Sequence, residues 1–81
     1  MNKGTRVRRG IDWRYGGQDC KGGKPCEGTV ISKAAIRIGN HYYVRVQWDN
    51  GYKHLYRIKD TNDKPVHELT AIGAVDKFFA L

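Results

Sequence analysis

The stretch Tyr42-Tyr43-Val44-Arg45-Val46-Gln47-Trp48-Asp49-Asn50-Gly51-Tyr52-Lys53-His54-Leu55-Tyr56-Arg57 decides the fold. Apolar Val44, Val46 and Trp48 alternate with polar Arg45 and Gln47, the period of a strand with one buried face. Asn50-Gly51 interrupts the run, and both residue types tolerate positive φ, the strongest short-range signal for a hairpin. Tyr52–Arg57 is expected to return as the partner strand. Two registers are open. A two-residue turn sets Trp48 opposite Lys53 and Val46 opposite Leu55. A three-residue loop with Gly51 in a bulge sets Trp48 opposite Tyr52 and Val44 opposite Tyr56. The bulged form gathers Val44, Val46, Trp48, Tyr52 and Tyr56 on one face and is the one expected. Trp48 and Tyr56 then belong to the core, Asn50 and Gly51 make the turn, and Asp49 is expected to cap it.

Outward from the hairpin, Thr5–Arg9 reads as a short first strand ending at Gly10. Gly10 to Glu27 is a long segment rich in Gly, Asp and aromatics, expected to be an ordered loop folded back through Trp13 and Tyr15. Gly28–Lys33 reads as a second strand around β-branched Thr29-Val30-Ile31. Ala34 to Asn40 stays open between an extension of that strand and a turn at Gly39-Asn40. Asp60–Pro65 is a polar turn, and Val66–Ile72 fits a last strand. Residues 1–73 form the expected domain. The tail 74–81 carries Val75, Phe78, Phe79 and Leu81 and reads as a helical turn docking on the barrel or a neighbour. About five short antiparallel strands separated by turns fit an all-β, small SH3-like barrel.

Eighty-one residues leave room for one thin core, so a site is expected in a shallow groove or at a strand edge. Fifteen Lys and Arg against eight Asp and Glu give a net charge of +7. Seven of the basic residues precede Pro25, where the acids are Asp12 and Asp19. Such a bias attracts acidic partners: a partly acidic peptide, nucleic acid or anionic lipid. Cys20 and Cys26 are not a CxxC pair, and His41, His54 and His67 are scattered, so two free thiols and no metal are expected. No apolar run approaches the ~20 residues of a membrane span. Met1-Asn2-Lys3-Gly4 is not a signal peptide, and the expected compartment is intracellular and cytoplasmic. No G-x-S-x-G, HExxH or phosphate loop is present. Ser32, the single serine, sits inside an expected strand. Neither a catalytic residue nor a cofactor is expected.

Five fragments resemble a known family: Gly4-Thr5-Arg6-Val7-Arg8-Arg9-Gly10-Ile11-Asp12-Trp13, Gln18-Asp19, Gly28-Thr29-Val30, Val46-Gln47-Trp48-Asp49-Asn50-Gly51 and Tyr56-Arg57. In order over about residues 4 to 69, they are similar to the Mind bomb/HERC domain, with its G-x-R-V-x-R-G-x-D-W-x-W, Q-D, G-T-V, V-x-W-D-N-G and Y-R, closing on Y-D-L. The resemblance implies an SH3-like barrel within large multidomain ubiquitin ligases, where it helps recruit substrates such as the cytoplasmic tails of Notch ligands. Ligase chemistry lies in other domains of such chains. Three departures stand out. Tyr15 replaces a second Trp; D-G-G is expanded to Asp19-Cys20-Lys21-Gly22-Gly23-Lys24-Pro25-Cys26; and His67-Glu68-Leu69 replaces Y-D-L, with the glycines after Tyr-Arg missing from Ile58-Lys59-Asp60.

The expected function is therefore recognition of a short protein or peptide ligand, with other domains of the parent chain as further partners. Nucleic-acid binding through Arg, Lys and exposed aromatics is the second reading. Candidate peptide-binding residues are Arg9, Asp12, Trp13, Tyr15, Gln18, Asp19 and Arg57. Asp12 and Trp13 either face a peptide or hold their own loop, Asp12 on backbone N–H groups and Trp13 packed beneath. Arg9 is expected to pair with Asp12 across the Gly10 bend. Arg57 follows a core-facing Tyr56, so its guanidinium points the other way, suited to carboxylate or phosphate.

Overall fold

Alternating β-branched and aromatic residues build the two longest strands, and the remaining elements pair outward from them. The computed structural model describes residues 1–73, so the expected helical turn at 74–81 lies outside the described residues. The strands are β1 Arg6–Arg9, β2 Cys20–Lys21, β3 Lys24–Pro25, β4 Gly28–Val30, β5 Ile36–Ile38, β6 His41–Trp48, β7 Lys53–Asp60 and β8 Leu69–Ala71. No helix occurs among the described residues, and all pairing is antiparallel.

β6 is the organising strand. β7 pairs along one of its edges, while β4 and β5 share the other, β4 at Val46–Trp48 and β5 at His41–Tyr43. β1 joins β4 to β8. The hairpin adopts the bulged register, with Val44 opposite Tyr56. Trp48 N–H donates to Tyr52 C=O at 2.8 Å and Gly51 N–H to Trp48 C=O at 2.8 Å. Gly51 takes φ of 91°, a left-handed conformation that costs glycine nothing. A further register shift falls between Tyr42 and Tyr43.

Val7, Val30, Val44, Val46, Trp48, Tyr56 and Leu69 form the core. Tyr52 does not join it. It shares their face, but sits beyond the end of the neighbouring strands and is 44% exposed.

Several boundaries differ from expectation. β4 stops at Val30: Ile31 N–H still donates to Arg45 C=O, but Ser32 Oγ and not a backbone carbonyl accepts the Arg45 N–H, at 3.0 Å. Ile36–Ile38 is a separate strand turning back through Gly39-Asn40. The long loop contains its own small hairpin, β2–β3.

The sheet is not a closed barrel. It runs β7-β6-β4-β1-β8, and no ladder joins β7 to β8 among the described residues. After the Asp60 turn the backbone pairs with β7 at the Lys59–Pro65 bridge, through Asp60 N–H to Lys64 C=O and Val66 N–H to Ile58 C=O, each 3.0 Å. Beyond Val66 the Arg57 N–H is taken by the Glu68 side chain and not by a backbone carbonyl. The last strand accordingly shrinks from the expected 66–72 to Leu69–Ala71.

Candidate functional site

Gly10 to Glu27 has no periodic pattern, so side chains must hold it. Its first turn is laid against the strand approach at His67-Glu68: Gly10 N–H donates to Glu68 C=O and Asp12 N–H to His67 C=O. Asp12 Oδ2 accepts the His67 N–H at 2.7 Å. A Cβ at Gly10 would lie 2.2 Å from the His67 carbonyl oxygen, so only glycine fits.

Beyond this point the loop folds over the core. Trp13 stacks on Tyr56, centroids 5.3 Å apart and planes 23° apart, and meets Trp48 edge-on at 5.5 Å. Its indole N–H donates to Gly16 C=O at 3.0 Å. Arg9 lies over the Trp13 ring, 5.2 Å from its centroid. Its Nε donates to Asp19 Oδ2 at 2.8 Å, while a terminal nitrogen reaches Asp19 Oδ1. Asp19 is fully buried. The expected Arg9–Asp12 pair does not form: the backbone at His67 takes Asp12, and the loop carries Asp19 back to Arg9.

Gln18 closes a hydrogen-bond chain through the core. Trp48 Nε1 donates to Tyr56 Oη at 2.8 Å, and Tyr56 donates to Gln18 Oε1 at 2.9 Å. Burial pushes the Tyr56 phenol up to about 12, the indole donor partly opposing it. At the hairpin tip Asn50 supplies what was expected of Asp49. Asn50 Oδ1 accepts the Tyr52 N–H at 2.8 Å, and Nδ2 donates to the carbonyls of Gln18 and Cys20, each at 2.9 Å. Asp49 instead turns to Arg6, which spans it and Glu27 at 2.7 and 3.1 Å. That guanidinium holds the Asp49 carboxyl below its ordinary range.

Glu68 is the residue the sequence did not mark, and it is 2% exposed. Its Oε1 accepts the Tyr15 hydroxyl at 2.6 Å and the Arg57 N–H at 2.7 Å, while Oε2 faces Arg14 at 3.1 Å. A side chain thus spans the gap between β8 and β7. Burial, and then the Glu68 bond, raise the Tyr15 pKa. The signal available was an acid one residue before a core leucine, at the family's own acidic closing position.

Arg9, Asp12, Trp13, Tyr15, Gln18 and Asp19 thus come together in one assembly around Trp48 and Tyr56. Arg57 does not join it. Its backbone N–H reaches Glu68, but its side chain lies on the opposite face, with Nε 3.2 Å from Tyr43 Oη. Cys20 and Cys26 are both free thiols.

Two surfaces remain open beside this assembly. Trp13, Tyr15, His54 and Tyr52 form a continuous aromatic row with centroid steps of 5.2, 6.0 and 6.1 Å. Alongside it runs the outer edge of β7. In an antiparallel pair alternate residues turn their backbone groups away from the partner strand. Arg57 does so, toward Glu68; Leu55 and Lys53, in the same phase, meet no strand on that side among the described residues.

The Mib_herc2 family model matches residues 4–67, most of the chain. The chain belongs to the Mib_herc2 family. It is 45% identical over 58 residues to the human E3 ubiquitin-protein ligase HERC2, covering 72% of this chain and 1% of that protein. Identity to the human putative HERC2-like protein 3 is 42% over 73 residues, 88% of this chain and 6% of the relative. Against the Gallus gallus E3 ubiquitin-protein ligase MIB2 it is 37% over 57 residues, 70% and 6%. The chain thus spans a small fraction of the curated relatives it matches. No solved structure matches it. Two departures from the family pattern, Tyr15 for Trp and Glu68 for Asp, meet in one hydrogen bond.

Proposed function

We propose that this chain is a non-catalytic recognition module of a ubiquitin-ligase-type protein, binding a short peptide or tail of a substrate beside the Trp13 loop. The observation that carries the reading is the edge of β7 at Lys53 and Leu55, unpaired among the described residues and lined by the aromatic row. A strand edge supplies main-chain hydrogen bonds to an extended peptide, and flanking rings supply pockets for alternate side chains. Trp13 and Tyr15 present ring surface; Arg9, Asp12, Gln18 and Asp19 hold those rings in place through the bonds described above. The domain's size and family support the same reading, since its relatives are ligases of which it is a minor part.

Leu55→Pro tests it directly. The substitution removes one outward N–H and leaves the β6 ladder intact, because Leu55 does not donate into that ladder. Affinity capture of partners from cell lysate by the unchanged chain, Leu55→Pro and His54→Ala should show the same set lost in both variants. If both variants retain every partner while staying folded, binding at this edge is wrong. Steeply salt-dependent binding to any oligonucleotide would favour the nucleic-acid reading instead.

A further inference from the structure

Three of the seven basic residues that precede Pro25 are answered by carboxylates inside the fold. Arg6 lies against Glu27 and Asp49, Arg9 against Asp19, and Arg14 against Glu68. Arg45, Lys53 and Arg57 form no ion pair among the described residues, and the β6–β7 hairpin brings the three together. The register sets Lys53 opposite Gln47, Leu55 opposite Arg45 and Arg57 opposite Tyr43. Alternation therefore places all three cations on the hairpin face turned away from the core, with Arg45 flanked diagonally by the other two. Tyr43 holds the Arg57 guanidinium there at 3.2 Å. The same face carries exposed aliphatic surface. Ile36, opposite Tyr43, is 37% exposed, and Ile38 is 50% exposed.

We propose that this face binds an extended acidic segment of a partner protein, with carboxylates at i and i+4 flanking an aliphatic residue at i+2. Lys53 and Arg57 are four residues apart on one strand, roughly 13 Å at the usual rise. An extended peptide repeats at the same rise, so its outer carboxylates reach both cations while the middle side chain lies over Leu55. Arg45 stands beside Leu55 and supplies a second planar fork for carboxylate oxygens. Unanswered positive charge beside the exposed aliphatic surface of Ile36 and Ile38 favours an acidic protein segment; Tyr43, the ring on this face, has its hydroxyl engaged with Arg57, and the RNA arm below tests nucleic acid. The face lies opposite the aromatic row, so this site stands independently of peptide addition at the β7 edge.

Fluorescence anisotropy with labelled peptides tests it on the whole 81-residue chain. The probe contains Glu-Thr-Ile-Thr-Glu; controls replace both Glu by Lys, or Ile by Ser, and a short single-stranded RNA is a further arm. The Glu-Ile-Glu peptide should bind, weaken as salt rises, and lose about tenfold in affinity when Arg45→Glu and Arg57→Glu are combined. The Lys control should not bind, and the Ser control should bind more weakly. His54→Ala, which removes a ring of the aromatic row on the opposite face, should change this affinity much less than the charge reversals do. Absence of binding, indifference to the reversals, or equal affinity for the Ser control or the RNA would each overturn the proposal. Should the double variant lose its folded tryptophan fluorescence, Arg45→Gln, at an exposed position, replaces it, with about a threefold loss expected.

Discussion

The β6–β7 hairpin and the Gly10–Glu27 loop lie face to face and are held by different means. The hairpin is held by a backbone ladder, each residue pairing with one a short distance away in sequence. The loop is held mostly by single side chains that reach across the fold: Arg9 to Asp19, Tyr15 to Glu68, Gln18 to Tyr56, and Asn50 to the loop's carbonyls. A ladder shares its load over many similar bonds. A loop tied at a few points concentrates it, so single substitutions there should have outsized effects.

The sharpest way to break the comparison is Arg9→Met. It keeps the length of the side chain but leaves Asp19 fully buried without its cation. Removing one partner of such a pair costs about 3 kcal/mol, read as a lower urea midpoint at unchanged slope. A loss below about 1 kcal/mol would show that the loop is not held at this point.

Asn50→Ala comes next, because it cuts the connection between the two regions. Three hydrogen bonds disappear at an exposed site, an expected loss of about 2 kcal/mol. Amide exchange should quicken at Cys20 and Cys26 before it quickens in β6. Equal acceleration in both regions would mean that loop and hairpin open as one unit.

Alkaline titration probes the ring the two regions share. Tyr56 is raised from an ordinary value near 10 to about 12, so below pH 10 both states keep the phenol neutral and the stabilisation is complete. From pH 10 to 12 the unfolded chain ionises first, and stability should fall by about 1.4 kcal/mol per pH unit. Tyr15, raised in the same direction, adds to the decline. Tyr56→Phe should flatten the profile in proportion.

The smallest effect belongs to the Arg6–Asp49 pair. Asp49 is depressed by Arg6, so its contribution is present at neutral pH and lost as pH falls through the depressed value. Both groups are well exposed, and Asp49→Asn should cost only about 0.5 kcal/mol. Added salt should erase the difference.

The same contrast explains what could be read beforehand. Val44, Val46 and Trp48 announce their strand by alternation, and Asn50-Gly51 its turn, because these signals act between neighbours. The ordered family fragments supply the class. Arg9 could choose Asp12 or Asp19 only after the loop's path was known, and that path depends on packing against Tyr56 and Trp48. The sheet fails to close because backbone pairing with β7 stops after Val66, where the Arg57 N–H turns to the Glu68 side chain. Glu68 bridges what remains, a replacement of ladder by carboxylate that no local pattern expresses. The fold brings the candidate residues together around the loop except Arg57, whose outward direction was legible but whose separation from the others needed the sheet.

Asn50 carries a last consequence, concerning the chemical age of the polypeptide. Asparagine before glycine is prone to attack by the following backbone nitrogen on the side-chain carbonyl, with loss of ammonia. Here the Gly51 nitrogen is occupied by Trp48 and the Asn50 amide is gripped by Gln18 and Cys20, so the folded turn should deamidate more slowly than the unfolded chain. Mass spectrometry of samples aged folded and in urea would decide this, equal rates being the contrary result. Once converted, residue 50 would turn a carboxylate toward two carbonyl oxygens. Old molecules would then part company with young ones at the loop while their hairpins stayed alike.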